Sequence, residues 1–326
     1  MAKAVFGNDV LVLKKLVNLV KGRKPQYRLA GWPKDRGYDL VKPEGAGDSP
    51  IPLVIAIHGY THDGHQMRML TAPGGDLQHS ESLDALARAE GFAVAYPYGT
   101  KIRALPGRCW NAGGGINGYA PVGDPARRRE IDDVRFFREL LEQLKKDLVV
   151  DTRRIYLVGI SNGGAMAQRL AMEHPELWAA VATVAGCNQF AAAQGVQPSA
   201  PMSVLHIHGT QDTIWPYNGG KVSGVGLMQS AEDSVAGWVK ATSAVKAEEQ
   251  PLPTVNKEDP TSVLRIRYQN RETGHEVEFY KVEGGGHAWP RGQQYLPQSL
   301  MGVVSTQISA NQLIWRFFKR HQLDEC

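Results

Sequence analysis

Gly159-Ile160-Ser161-Asn162-Gly163 fits the pattern Gly-x-Ser-x-Gly, and the residues on either side of it decide the fold. Before it, Arg154-Ile155-Tyr156-Leu157-Val158 is a short apolar run of the kind that forms a buried strand. After it, Ala165-Met166-Ala167-Gln168-Arg169-Leu170-Ala171-Met172 is rich in good helix formers, and Pro175 stands where such a helix should stop. Strand, sharp turn and helix in that order lift a serine hydroxyl above the edge of a sheet and hold it in a strained backbone conformation. Glycines at 159 and 163 leave room for strand and helix to pass closely. An ordinary Gly-rich turn would carry the five residues without these flanks.

Outward from this turn, strands and helices alternate. Tyr27–Ala30 and Tyr38–Val41 read as a pair of edge strands joined around Pro33–Gly37. Pro52–Ile57 is continuously apolar, as strands inside a parallel sheet are. Leu83–Glu90 reads as a helix ending at Gly91, followed by a strand over Phe92–Tyr96. Asp132–Leu148 reads as a long helix with Val134, Phe137, Leu140, Leu141 and Leu144 at helical spacing. Further strands are expected over Ala179–Val184, Ser203–His208, Val263–Tyr268 and Val277–Val282, and helices over Ser230–Ala241 and Gln307–Arg320. The pattern predicts an α/β fold: a mostly parallel central sheet with helices on both faces. The Gly-rich stretch Gly107–Arg129 is the longest irregular one.

Of 326 residues, 42% are hydrophobic and 21% charged, and no linker or repeat divides them. Residues 27–326 are therefore expected to form one catalytic domain, with residues 1–26 a helical extension. A net charge of +4 is small, and the one basic cluster, Arg127-Arg128-Arg129, runs straight into Glu130, Asp132 and Asp133, so no nucleic-acid partner is expected. No apolar run approaches the roughly 20 residues of a membrane span. Lysines interrupt the apolar segment Val10–Val20, which lacks the form of a signal peptide. The three cysteines, Cys109, Cys187 and Cys326, fit no zinc pattern; a Cys109–Cys187 disulfide and a pair of free thiols both remain open.

A serine hydroxyl needs a base to take its proton, and the base needs an acid to orient it. In this kind of fold the chain order is Ser, then Asp or Glu, then His. Asp212 follows the strand ending at His208, at the sheet edge where open α/β sheets assemble their sites. Asp233 falls on a helix and Asp259 in a polar loop. His287 lies in Gly284-Gly285-Gly286-His287-Ala288-Trp289-Pro290, directly after a strand, whereas His275 sits in a turn and His321 at the end of the last helix. The expected catalytic residues are therefore Ser161, Asp212 and His287. An oxyanion hole needs two backbone N–H donors. Asn162 should supply one and Tyr60 the other, with Thr61 as second choice; His58 reads as structural. His58, His62, Asp63 and His65 cluster in one loop, and His206 and His208 alternate on a strand, but His62-Asp63-Gly64-His65 does not fit a helix-borne His pair and a zinc hydrolase has no use for the serine turn, so no metal is expected. Trp110, Trp215, Trp289 and Tyr60 lie in loops near these residues, where aromatic walls would suit an aromatic or polyester chain.

Gly159–Gly164, His208–Asp212 with Pro216-Tyr217, and Gly284–Pro290 resemble the polyhydroxybutyrate depolymerase and feruloyl esterase group of the α/β-hydrolase superfamily. Cys109–Gly114, Ile131–Val134, Ile308–Ala310 and Ile314–Phe318 are similar to the same group. The resemblance implies a serine carboxylesterase working through an acyl-enzyme, with the triad Ser161, Asp212 and His287 and no cofactor. It implies a small-molecule or polymeric ester substrate, feruloyl, polyester, acetyl xylan or short-chain, and export from the cell. The scaffold also admits a peptidase or a non-catalytic binding member. The stretch from His62 to Ser82 reads as a loop longer than the group's, and the segment before Tyr27 has no counterpart in it.

Overall fold

The structure, a computed structural model, describes residues 23–45, 47, 49–103 and 107–324. Most of the expected helical extension lies outside these residues. Residues 23–26 are irregular, and the Gln26 N–H donates to Asp39 Oδ1 at 2.8 Å.

The strands are β1 (Tyr27–Arg28), β2 (Gly37–Val41), β3 (Ile51–Ile57), β4 (Ala93–Pro97), β5 (Thr100–Lys101), β6 (Arg108–Cys109), β7 (Val150–Ile160), β8 (Ala180–Val184), β9 (Val204–Gly209), β10 (Gly220–Val222), β11 (Gly226–Met228), β12 (Val245–Pro251), β13 (Ser262–Gln269) and β14 (Glu276–Glu283). Ten of them build one sheet in the order β1-β2-β4-β3-β7-β8-β9-β14-β13-β12. From β4 across to β14 every neighbouring pair is parallel, and the two outer pairs on each side are antiparallel.

Parallel strands need crossovers, and the helices that make them cover both faces. In β3 the alternation splits the core: Leu53, Ile55 and Ile57 face one cluster, Val54 and Ala56 the other. The first cluster holds Phe136, Phe137, Leu140 and Leu144 of the helix Asp133–Asp147 and Met166 and Leu170 of the helix Asn162–Glu173. The second holds Leu83 and Ala87 of the helix Leu83–Glu90 and Trp315, Phe317 and Phe318 of the helix Ala310–Phe318. Among the described residues no helix is long and apolar enough to cross a membrane.

Two segments read as loops carry regular structure. The His62–Ser82 stretch contains the helix Gly64–Leu70, capped by Asp63, whose side chain accepts the Gln66 N–H, and a 3₁₀ turn at Pro73–Gly75. Gly107–Arg129 contains β6 and the short helix Asp124–Arg128. Cys109 and Cys187 are both free and buried, which closes the disulfide alternative. Cys326 lies outside the described residues.

Candidate active site

Strands β3, β7, β9 and β14 run parallel, so their carboxyl ends share one edge of the sheet. Four loops leave that edge, and the expected site residues come from them: Tyr60 after β3, Ser161 after β7, Asp212 after β9 and His287 after β14.

Ser161 has φ 55° and ψ −123°, a region that non-glycine residues rarely adopt. The turn is held by the Ser161 N–H donating to Val184 O at 2.9 Å and by Ser161 O accepting the Ala165 N–H at 2.9 Å. Glycine is required beside it. A Cβ on Gly163 would collide with the carbonyl oxygens of Ile57 and His58, and one on Gly159 with the carbonyl of Gly163. Strand and helix therefore cross at backbone contact, which presents the hydroxyl to the cavity above.

Asp212 and His287 are joined by the packing of their own loops. The Thr210 N–H donates to Val282 O at 3.0 Å and the Gln211 N–H to Gly285 O at 2.9 Å. A side chain on Gly209 would strike the carbonyls of Gly285 and Gly286. The result is a contact of 2.8 Å between His287 Nδ1 and Asp212 Oδ2, both groups buried. Asp212 Oδ1 accepts the N–H groups of Ile214 at 2.8 Å and Trp215 at 2.7 Å. Burial works against charge on Asp212, but His287 and His208 outweigh it and hold its carboxyl below the usual carboxylate range. With a carboxylate on Nδ1, His287 keeps its proton on that nitrogen and leaves Nε2 as the acceptor.

Ser161, His287, Asn162, Tyr60 and Thr61 all line one cavity, together with Leu70, Val122, Ile160, Ile214, Trp215 and Met228. Among the described residues no group accepts the N–H of Tyr60 or of Asn162. The Thr61 N–H is spent on Arg108 O at 2.8 Å, which corrects the second choice for the oxyanion hole. Burial pushes the Tyr60 hydroxyl, in the same cavity, up to about 12, so it stays neutral there.

Two of the three tryptophans expected at the substrate do not line the cavity. Trp110 is buried against Phe136 and Phe137, and its Nε1–H donates to His58 O at 3.0 Å. Its backbone N–H and C=O pair with the side-chain amide of Asn162 at 2.8 and 3.0 Å. Trp289 is buried near Phe92 and Trp315, with Nε1–H donating to Asn311 Oδ1 at 3.0 Å. Both are loop-packing residues, because each ring points into a core rather than out of the sheet edge. Trp215 is buried in the first core cluster as well, with Nε1–H donating to Gln229 O at 3.0 Å, but it also lines the cavity.

The histidine loop does separate jobs. His58 accepts the Gly99 N–H on Nε2 at 3.0 Å and donates from Nδ1 to Gly59 O at 2.8 Å, so it braces the loop as the sequence indicates. His62 Nδ1 meets Tyr60 O at 3.1 Å, and Asp63 is a helix cap. Another potential donor set, Cys187, His206 and His208, is fully buried, and its imidazole nitrogens are hydrogen-bonded to each other, to Thr183 and to the Trp215 carbonyl.

A serine on this turn, with an imidazole–carboxylate pair at the same sheet edge, is the layout of the α/β-hydrolases. Residues 36–214 match the esterase PHB depolymerase family. The chain belongs to that family, and it is a carboxylesterase. It is 30% identical over 302 residues to the putative esterase NocK of Nocardia uniformis subsp. tsuyamanensis, covering 89% of this chain and 78% of that one. It is 28% identical to feruloyl esterase B of Piromyces equi over 76% of this chain, which spans 42% of that larger protein. Among solved structures, the acetyl xylan esterase from Aspergillus awamori superposes with a TM-score of 0.56 over 90% of this chain and 97% of that one, at 16% identity, a likeness of fold.

Proposed function

We propose that the protein is a serine carboxylesterase whose acyl-enzyme forms on Ser161. The observation that carries this reading is the His287–Asp212 contact of 2.8 Å at the cavity that Ser161 also lines. His287 takes the serine proton through Nε2 as the hydroxyl attacks the ester carbonyl, then gives it to the leaving alcohol. Asp212 keeps the proton on Nδ1 and stabilises the imidazolium. The N–H groups of Tyr60 and Asn162 receive the oxyanion. Water activated by His287 then releases the acid. Residues 27–326 act as one catalytic domain, and the reaction uses no metal or cofactor.

The substrate is an aromatic or polyester-type ester, small or polymeric. An acyl group entering this cavity meets Leu70, Val122, Ile160, Ile214, Trp215 and Met228, walls that gain by excluding water from an apolar chain and that an acetyl group would leave largely unfilled. The feruloyl esterase relatives and the family's polyester name support the same class. Ser161→Ala should lower turnover by on the order of 10⁴- to 10⁶-fold while circular dichroism stays unchanged, and it should abolish labelling by a fluorophosphonate. Near-normal turnover in that variant would remove the serine mechanism. On a panel of methyl ferulate, p-nitrophenyl acetate, acetylated xylan and polyhydroxybutyrate film, kcat/KM should favour methyl ferulate or the polyester over the acetyl esters by roughly tenfold or more. Acetyl preference would overturn the substrate class and leave the mechanism standing.

A further inference from the structure

Asp212 is held by a second histidine. Its Oδ2, which takes the His287 Nδ1 proton, also lies 3.3 Å from His208 Nε2, while the same His208 nitrogen lies 2.9 Å from Trp215 O. Both partners are acceptors, so His208 Nε2 carries a proton in either charge state. On its other side His208 Nδ1 is 3.2 Å from His206 Nε2, and His206 Nδ1 is 2.6 Å from Thr183 Oγ1. A buried row thus runs Thr183–His206–His208–Asp212–His287 across β8, β9 and β14 to the cavity. Two imidazoles in a core are costly unless every nitrogen is partnered, and here every one is.

We propose that His208 is a positioning residue: its Nε2–H, bonded to Trp215 O, stands 3.3 Å from Asp212 Oδ2, so it steadies the carboxylate from the core side both by that ion-pair contact and through Trp215, whose backbone N–H holds Oδ1. The inference rests on the reading of Ser161, Asp212 and His287 as the reacting set. It has an electrostatic consequence. A carboxylate oxygen that faces a second imidazole at ion-pair distance offers less negative potential to the first, so it stabilises a protonated His287 less than an unaccompanied one would. Base catalysis then survives to lower pH.

The titratable groups facing His208 are few. His206 comes from its own strand, Cys187 from the loop after β8, and Asp212 from the loop after β9. The Tyr217 ring stands edge-on at 5.9 Å, with Glu232 on its hydroxyl and the Lys281 ammonium over its face. Asp233 acts on Cys187 from a greater distance. Burial opposes a charge on His208, but the contacts with Asp212 and Cys187 outweigh it and raise its pKa. Burial and the neighbouring His208 push His206 well down, so it stays neutral.

The test uses the full chain, a p-nitrophenyl ester and pH profiles of kcat and KM for the wild type, His208→Phe, His208→Gln and Ser161→Ala. Removal of the clamp in His208→Phe should move the acid limb of kcat up by about one pH unit and lower kcat at pH 6 by about tenfold or more, with KM within about twofold. His208→Gln, which restores an N–H toward Asp212, should recover part of both. An unmoved acid limb in both variants, or a rise in KM with kcat untouched, overturns the inference while an inactive Ser161→Ala leaves the serine reading intact. Turnover in Ser161→Ala sinks the reading beneath it instead. If neither His208 variant folds, the wild type decides. Nitrogen-15 spectra must show a slowly exchanging proton on His208 Nε2, and an unprotonated Nε2 refutes the clamp.

Discussion

Trp110 shows how one side chain serves the site without lining its cavity. Its indole N–H fixes the carbonyl of His58, two residues before Tyr60, and its main chain holds the side-chain amide of Asn162; the backbone N–H groups of Tyr60 and Asn162 have no acceptor among the described residues. Trp110→Phe keeps an aromatic ring but removes the pyrrole ring with its N–H, so the His58 carbonyl loses its indole donor, a cost of about 1–3 kcal/mol, and the buried site loses packing as well. The expected result is a lower melting temperature and lower kcat, with KM and the preference among ester substrates unchanged. Trp215→Ala should lower the melting temperature too, since this indole is also buried and donates to Gln229 O at 3.0 Å, but unlike Trp110→Phe it should raise KM for an aromatic ester by about tenfold and shift the preference toward acetate esters. A selectivity change in Trp110→Phe would show that its ring does meet substrate. Sequence places both tryptophans in loops near Ser161 and cannot separate them. Which way an indole points depends on what the neighbouring loops leave room for, and that is settled only when Phe136 and Phe137 arrive from another element. The three side chains proposed to react are easier to place in sequence for the opposite reason, since each follows a strand whose apolar run marks its end.

The elements divide in the same way. Leu83–Glu90 matches its expected limits because local chemistry fixes both ends: Ser82 accepts the Ala85 N–H, and Gly91 closes the helix at φ 77°. Strand β12 left no signal, as Lys246, Glu248, Glu249 and Gln250 give it no buried face to pattern, and such charges protect a sheet edge from further pairing. The helix Gly64–Leu70 was hidden because its seven residues fall between an Asp cap and Pro73, too short for a clear repeat. The final helix begins at Ala310 rather than Gln307 because Ser309 caps it. One residue of that helix locks three elements together. Asn311 donates to Thr71 O at 2.7 Å and Glu81 O at 2.8 Å, and accepts from the Trp289 indole at 3.0 Å, two residues from His287. Asn311→Leu strands two buried polar groups, Thr71 O and the Trp289 indole N–H, and a half-buried one, Glu81 O, which should cost about 2–4 kcal/mol in chemical denaturation and reduce kcat through a loosened His287 loop. A variant with unchanged denaturation midpoint would mean that the 71–81 segment and the His287 loop are held independently of this helix.

Across the whole molecule, the ten-stranded sheet buries several histidines that must remain uncharged. Burial lowers His58 and His206 well below the ordinary value of about 6.5 and brings His321 down to about 4. In the unfolded chain the same rings protonate near pH 6.5, so below that pH the unfolded state binds more protons and acid favours it. His208 works in the opposite sense: its raised value makes its contribution complete below pH 6.5 and lost as pH climbs toward the folded value, so it does not offset the acid loss. Asp212, held low, withdraws its stabilisation only as pH falls below about 4. The window between pH 6.5 and 4 therefore belongs to the neutral histidines. With His58, His206 and His321 each contributing up to about 1.4 kcal/mol per pH unit, acidification from pH 6.5 to 5.5 should remove roughly 3 kcal/mol of stability. Unfolding at pH 5.5 should take up about three protons from these rings, and more from His62, His65 and His275, which burial also lowers, measurable as the dependence of calorimetric enthalpy on buffer ionisation. A melting temperature flat between pH 7.5 and 5.5 would mean that these rings either reach solvent or are already charged in the fold. The bracing of the Tyr60 loop by a neutral His58 would then need another explanation, because a cationic ring cannot accept the Gly99 N–H.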